Sequence, residues 1–402
     1  MQAWSTHAPA TSLLRIAATP APASSTASLS HRYASSPARI RGSSSSPLAG
    51  RVQAQEAAAL VDRVRPHAGD VMNLSDNLIV YSNTVISRCT FGDTDYGVEG
   101  GGGGGARLRK VFAEIEELLG TVPMGETVPC LRWVDVVTGL EKKTRRVFDE
   151  MDGLLERVIA DHRQRRGAGA ATGEEGDFVD VMLDAEELDT GSIKGIILDM
   201  LAAATDSTFT LLEWAMAELI NHPHEMRKLQ DEVRAAVGPG ASPPPALPEG
   251  GGEGGPAPPP ADAAAPAAGD AGEHAAAGNT PSAALGTRVL IHAWAIGHDP
   301  ATWGSRAKEF APERFLGYDL KMGQDFAFLP FGAGRRGCPG VGFAMMSNEL
   351  ALASLVCNFD WELPGGRMPP VDLSELHGLS VRLKAPLLLV AKPWMEVHER
   401  SN

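Results

Sequence analysis

Cysteine is scarce in this chain of 402 residues, with four in all. Cys89, Cys130, Cys338 and Cys357 include no Cys-x-x-Cys pair, which argues against a structural zinc site, and four are too few for a disulfide scaffold. No stretch of 18 uninterrupted apolar residues occurs, so the sequence offers no plain transmembrane run. Positive charge is also short, with 36 Lys and Arg against 50 Asp and Glu and a formal net charge of -14. That balance argues against a nucleic-acid partner, which needs a basic face to meet phosphates.

Acidic residues are absent from positions 1–50, which are rich in Ser, Ala and Pro and carry Arg15, Arg32, Arg39 and Arg41. Two readings stay open for this segment: a disordered tail, or a transit-like leader. Residues 51–237 read as helices. Gln53–Arg65 is short and Ala-rich, and Asn73–Phe91 opens on a capping residue. Six glycines, Gly100–Gly105, interrupt the pattern before helices over Arg107–Leu119, Glu141–Arg166 and from Phe178. The longest pattern, Ile193–Asn221, follows the cap candidates Asp189, Thr190 and Ser192. At 1.5 Å per residue it spans about 44 Å, enough to cross a whole domain. Pro223 ends it and starts the next helix, which runs to Val237.

Of the 44 residues 238–281, 34 are Gly, Pro or Ala, a composition that cannot form a packed core or a regular helix. Residues 238–284 therefore read as a low-complexity insertion. Beyond it, residues 285–402 resume order with a predicted strand at Arg288–Ala295, a helix near Gly340–Cys357, and strand-like runs at Val381–Leu383 and Leu387–Ala391. The fold class is mainly α with small β-sheets.

Chemistry concentrates at Pro330–Gly340, where four glycines surround Cys338. Bare backbone lets a flat, bulky group approach closely. Amide N–H groups and the start of the following helix favour a thiolate. Arg335 and Arg336 suit an anionic group such as a propionate, and Phe331 can shield the sulfur from water.

This segment resembles the haem-binding loop of the cytochrome P450 family, Phe-x-x-Gly-x-Arg-x-Cys-x-Gly, at every defining position. The resemblance implies the P450 fold and a haem (heme, iron-protoporphyrin) cofactor. It makes Cys338 the metal ligand, with Phe331, Gly334, Arg336 and Gly340 around the cofactor. In the long helix, Ala203–Thr208 resembles the family's oxygen-activation motif, with Ala204 where Gly is usual and Ser207 where Thr is usual. The likeness makes Ala204 a cofactor contact and Asp206 and Ser207 the catalytic proton-handling pair. Phe310–Phe315 resembles the Pro-Glu-Arg-Phe element, whose Arg normally pairs with a Glu-x-x-Arg helix. No Glu-x-x-Arg occurs in this chain, so Arg314 is expected to lack its acidic partner, at a cost of about 3–5 kcal/mol if buried.

The N-terminal membrane helix, Pro-rich hinge and Trp- and Arg-bearing helix of family members are not recognisable, so the fold is expected to be incomplete. Phrases at Leu119–Gly125, Trp214–Pro223 and Ala293–Gly297 resemble plant A-type members, among them grass indole and indolinone hydroxylases. The implied reaction inserts one oxygen atom of O2 into a small lipophilic plant metabolite, with electrons from NADPH through a cytochrome reductase. The competing expectation is an inactive, truncated relative. Substrate would meet residues 107–124, 200–204 and 376–379. Family members sit on the endoplasmic reticulum membrane; a plastid or soluble cytoplasmic location is the alternative. Cys89, Cys130 and Cys357 are expected to be buried thiols, and His298 is a candidate neighbour of a propionate.

Overall fold

The computed structural model describes residues 47–93, 111, 114–115, 117–167, 176–185, 188–237, 291–315, 326–332, 338–366, 370–376 and 380–394. Helix α1 (Pro47–Val64) leads through a single 3-10 turn to strand β1 (Val71–Asn73). Helix α2 (Leu74–Phe91) starts where the Asn73 side chain accepts a hydrogen bond from the Asp76 amide at 3.3 Å, the cap its sequence announces. Short helices α3 (Met124–Thr127) and α4 (Arg132–Val137) precede α5 (Leu140–Gly167) and α6 (Phe178–Leu183).

The long helix α7 runs Thr190–Asn221, capped by Asp189, whose carboxylate accepts from the Ser192 amide at 2.7 Å. Helix α8 (Pro223–Val237) follows directly. After the low-complexity region come α9 (Ala293–Gly297), α10 (Pro300–Trp303) and α11 (Val341–Asn358). The strand expected over Arg288–Ala295 is corrected by α9: the His292 side chain accepts from the Ala295 amide at 3.3 Å and caps a helical turn there. Residues 288–290 lie outside the described residues.

Strands β1, β5 (Leu388–Pro393) and β2 (Phe359–Glu362) form an antiparallel sheet in the order β1-β5-β2. Val71 pairs with Val390, and Trp361 with Ala391. Strands β3 (Glu375–Leu376) and β4 (Arg382–Leu383) pair as a second, two-stranded sheet.

Two apolar clusters hold the molecule. One joins Val52, Leu60, Leu78 and Tyr81 to Phe209, Leu212 and Trp214 of α7, Leu355 of α11, and Phe359 and Leu389 of the sheet. The other joins Ile115, Val158, Ile159 and Met182 to Ile193, Ile197 and Leu201 of α7. Helix α7 thus serves the second cluster through its first half and the first cluster through its second half. Chain segments on both sides of residues 238–284 fill the first cluster.

Candidate functional site

The Cys338 turn is closed by its own backbone. The Cys338 N–H donates to the Phe331 carbonyl at 2.9 Å, and the Phe331 ring is buried. Gly332 takes φ +70, a left-handed conformation that glycine adopts without strain. Helix α11 begins three residues after the cysteine, so its positive end lies beside the sulfur.

The sulfur is half-buried and free of any disulfide. Burial pushes the thiol above its usual value, and a hydrogen bond from the Gly340 N–H pulls the other way. The expectation that the loop by itself favours thiolate is therefore corrected: desolvation outweighs the amide. Metal ligation removes the thiol proton outright. A Cβ on Gly340 would come to 3.8 Å from the sulfur, so the backbone there lies open to a close neighbour. A bare, glycine-flanked sulfur at a helix start fits a haem iron.

The middle of α7 carries the other expected site residues. Leu201, Ala202, Thr205 and Asp206 are buried, whereas Ala203 is exposed and Ala204 and Ser207 are half-buried. This opening falls between the two apolar clusters. Phe343, in the first turn of α11, packs against both clusters, including the one that contains Ala202. Ala204 of α7 packs against that same cluster, so the helix that follows the Cys338 turn and the open segment of α7 share an apolar neighbourhood.

The Ser207 hydroxyl donates to the Ala203 carbonyl at 2.7 Å, one turn back. Asp206 turns away from the opening. Its carboxylate is wholly buried, ion-paired with the Arg382 guanidinium and hydrogen-bonded by the Ser380 hydroxyl. Glu213, two turns further along α7, is buried beside the same arginine. It accepts from the Ser75 hydroxyl at 2.5 Å and the Leu383 N–H at 3.3 Å. Burial raises its carboxyl above the ordinary range, and the Arg382 charge offsets part of that rise.

Arg314 corrects the expectation of an unsatisfied cation. Its guanidinium donates to the carbonyls of Arg306 at 2.6 Å, Glu309 at 2.9 Å and Ala311 at 3.2 Å, and it lies 6.0 Å from the Trp303 ring centre. Backbone acceptors take the place of a carboxylate among the described residues. His298 is stacked on Trp294 at 4.3 Å and bonded to the Trp294 carbonyl at 2.7 Å. Gly334 and Arg336, with residues 377–379 of the expected substrate turn, lie outside the described residues. Cys89 and Cys357 are buried as expected, but Cys130 is exposed, in a 3-10 turn none of whose residues is buried.

The sequence pattern of the family described as "Cytochrome P450" matches residues 25–246 and 284–390. The chain belongs to the cytochrome P450 family. It is 38% identical over 382 residues to cytochrome P450 71A1 of Persea americana, covering 85% of this chain and 70% of that one. Cytochrome P450 71A2 of Solanum melongena is 38% identical over 373 residues, with the same coverage. A zebra fish cytochrome P450 structure with abiraterone superposes with a TM-score of 0.64 at 22% identity, covering 90% of this chain and 81% of that one. The fold is accordingly the P450 fold, and the class of activity is that of a haem-thiolate monooxygenase, an oxidoreductase.

Two site residues escaped sequence reasoning. Arg382 and Ser380 hold Asp206 across about 175 residues of chain, and no local pattern announces such a pairing.

Proposed function

We propose that Cys338 is the sulfur ligand of the haem and that the chain oxygenates a small lipophilic plant metabolite, with electrons from NADPH through a cytochrome reductase. The observation that carries this reading is the turn closed by the Cys338–Phe331 backbone bond, placed at the start of α11, with Phe343 of that helix and Ala204 of α7 packed against the same apolar cluster. The bound haem supplies dioxygen activation, its thiolate ligand favouring O–O cleavage.

The chain's own residues then have separable tasks. Phe331, Gly340 and Ala204 shape the space around the group, and Gly334 and Arg336 complete the loop. Ser207 presents a hydroxyl at the open face, poised to exchange its Ala203 bond for one to a bound partner. Asp206, the other member of the expected pair, has its carboxylate turned into the protein and held there by Arg382 and Ser380, so Ser207 is the member of the pair at the open face. Residues 51–237 and 285–402 act as one haem domain interrupted by 238–284, a reading supported by the apolar cluster they share. An association with the membrane surface is supported by exposed Val122, Trp133, Val136 and Val137, grouped within one short stretch.

The test is to load the expressed protein with haem, reduce it and add carbon monoxide. A strongly red-shifted Soret band that disappears in Cys338→Ala is expected. Haem taken up without that shift, or a shift that survives the substitution, overturns the assignment. Failure of soluble protein to take up haem would favour an inactive relative.

A further inference from the structure

Among the described residues, His162, Asp177 and Asp180 are the one group of three metal-capable side chains whose ligand atoms lie within 4.8 Å of one another. None belongs to the Cys338 turn or to α7. They come from the last turns of α5 and the start of α6, two helices pinned by their buried neighbours Val158, Ile159, Phe178 and Val179. His162 and Asp177 are buried, and Asp180 is half-buried.

The His162 ring meets conflicting demands. Its Nδ1 lies 2.7 Å from the Val158 carbonyl, which only accepts, so Nδ1 carries a hydrogen. Nε2 then faces two neighbours. The Asp177 carboxylate oxygen Oδ2 at 2.8 Å requires a proton there, and the Arg165 guanidinium at 2.9 Å requires a lone pair. No protonation state of the ring satisfies both. A divalent cation on Nε2 uses the lone pair, meets the Asp177 charge and displaces Arg165, an exposed side chain with a long stem that can carry its head back to water. Without the ion, a proton on Nε2 meets Asp177 alone. The surroundings are those of a ligand set. A ligating imidazole characteristically donates its other N–H to a backbone carbonyl, as His162 does to Val158. Asp177 Oδ1 accepts from the Asp180 amide at 3.0 Å, which holds Oδ2 toward the histidine. Gly92, at the end of α2, leaves that oxygen uncrowded: a Cβ there would fall 2.9 Å from it. Burial and the Asp177 charge both push the Asp180 carboxyl up, and a bound cation relieves the second.

We propose that His162, Asp177 and Asp180 bind one zinc ion through Nε2 and two carboxylate oxygens, fastening the end of α5 to the start of α6. One imidazole nitrogen with two carboxylates suits zinc better than calcium or magnesium, which favour all-oxygen shells. Zinc bonds of about 2.0–2.2 Å in a tetrahedral array set ligand atoms about 3.4 Å apart. Asp180 therefore closes on the ion by about 1.5 Å at most, within reach of a side-chain rotation. Water completes the fourth position. The site is independent of the haem reading, since it shares no residue with it.

The test strips the full chain with EDTA, dialyses it, and titrates it with zinc chloride against a fluorescent zinc indicator. Wild type is expected to bind one equivalent more than Asp180→Asn, with a Kd of about 1 μM or tighter. Zinc held by the exposed Cys130 thiol is common to both proteins and cancels in the difference. Asp180→Asn leaves the His162–Asp177 contact in place. Zinc at about 100 times the Kd should raise the thermal midpoint of wild type and leave that of Asp180→Asn unmoved. Arg165→Gln removes the competing guanidinium and should tighten zinc binding by about threefold or more, an effect that a purely structural ion pair does not produce. Equal zinc stoichiometry in wild type and Asp180→Asn, or a wild-type midpoint that zinc does not raise, overturns the proposal. Should Asp180→Asn fail to fold, the comparison of wild type with Arg165→Gln decides, and zinc affinity unchanged or weakened by that substitution overturns it equally.

Discussion

Replacing Arg382 with methionine tests the electrostatic account of α7 most directly. The Arg382 side chain is 27% exposed, and its partner Asp206 is 1% exposed. The same guanidinium acts on buried Glu213 and lies 5.4 Å from the Phe209 ring centre. Methionine keeps much of the stem but leaves two carboxylates inside the protein without their cation. Breaking a buried pair by removing one partner costs about 3–5 kcal/mol. Partial exposure of the arginine and the surviving Ser380 hydroxyl place Arg382→Met at the lower end, about 3 kcal/mol. Asp206→Asn removes the less hydrated charge and leaves a cation that still reaches water and Glu213, so its cost is about 1–2 kcal/mol. The double variant should cost less than the sum, with a coupling of about 1–3 kcal/mol. Guanidinium unfolding of the four proteins at one pH, compared at a common slope, reads these values. An Arg382→Met within about 1 kcal/mol of wild type, or singles that simply add, would refute the reasoning.

His162 is buried, with Nε2 2.8 Å from an Asp177 carboxylate oxygen and Nδ1 2.7 Å from the Val158 carbonyl. Burial alone would lower its pKa, but the Asp177 bond and charge outweigh that and hold it above 6.5. A raised folded value means that the stabilisation is full below the unfolded pKa and fades as pH climbs through the folded one. The stability gap between wild type and His162→Gln should therefore be widest below the unfolded histidine value of about 6.5 and shrink as pH rises above it, and a gap that widens with pH contradicts the assignment. Trp214→Phe removes the Nε1–H bond to the Val381 carbonyl at 2.8 Å and should cost about 1–3 kcal/mol in thermal unfolding.

The helices were legible because their signals are local. Asn73 caps α2 within a residue of the expected start, and Asp189, the first of three cap candidates, starts α7 at Thr190, three residues before the expected Ile193. Strand β1 was not legible: three residues carry almost no periodicity, and their partner Leu388–Val390 lies more than 300 residues along the chain. The stretch Ile291–Ala295 reads as β-formers, yet a single histidine cap turns its second half into a helix. The Cys338 loop could be located from sequence because its glycines and cysteine are contiguous. What holds the neighbouring acid could not, since Arg382 reaches Asp206 only after the chain has folded.

Helix α7 is keyed into one apolar cluster by Ile193–Leu201 and into the other by Phe209–Ile220. A rod clamped at both ends concentrates any mismatch between its anchors in the span between them. Here that span is Ala203–Ser207. That span is itself braced, by the Ser82 hydroxyl donating to the Thr205 carbonyl at 2.5 Å and by Arg382 and Ser380 on Asp206, so the strut that crosses the molecule is tied down at its middle as well as at its ends.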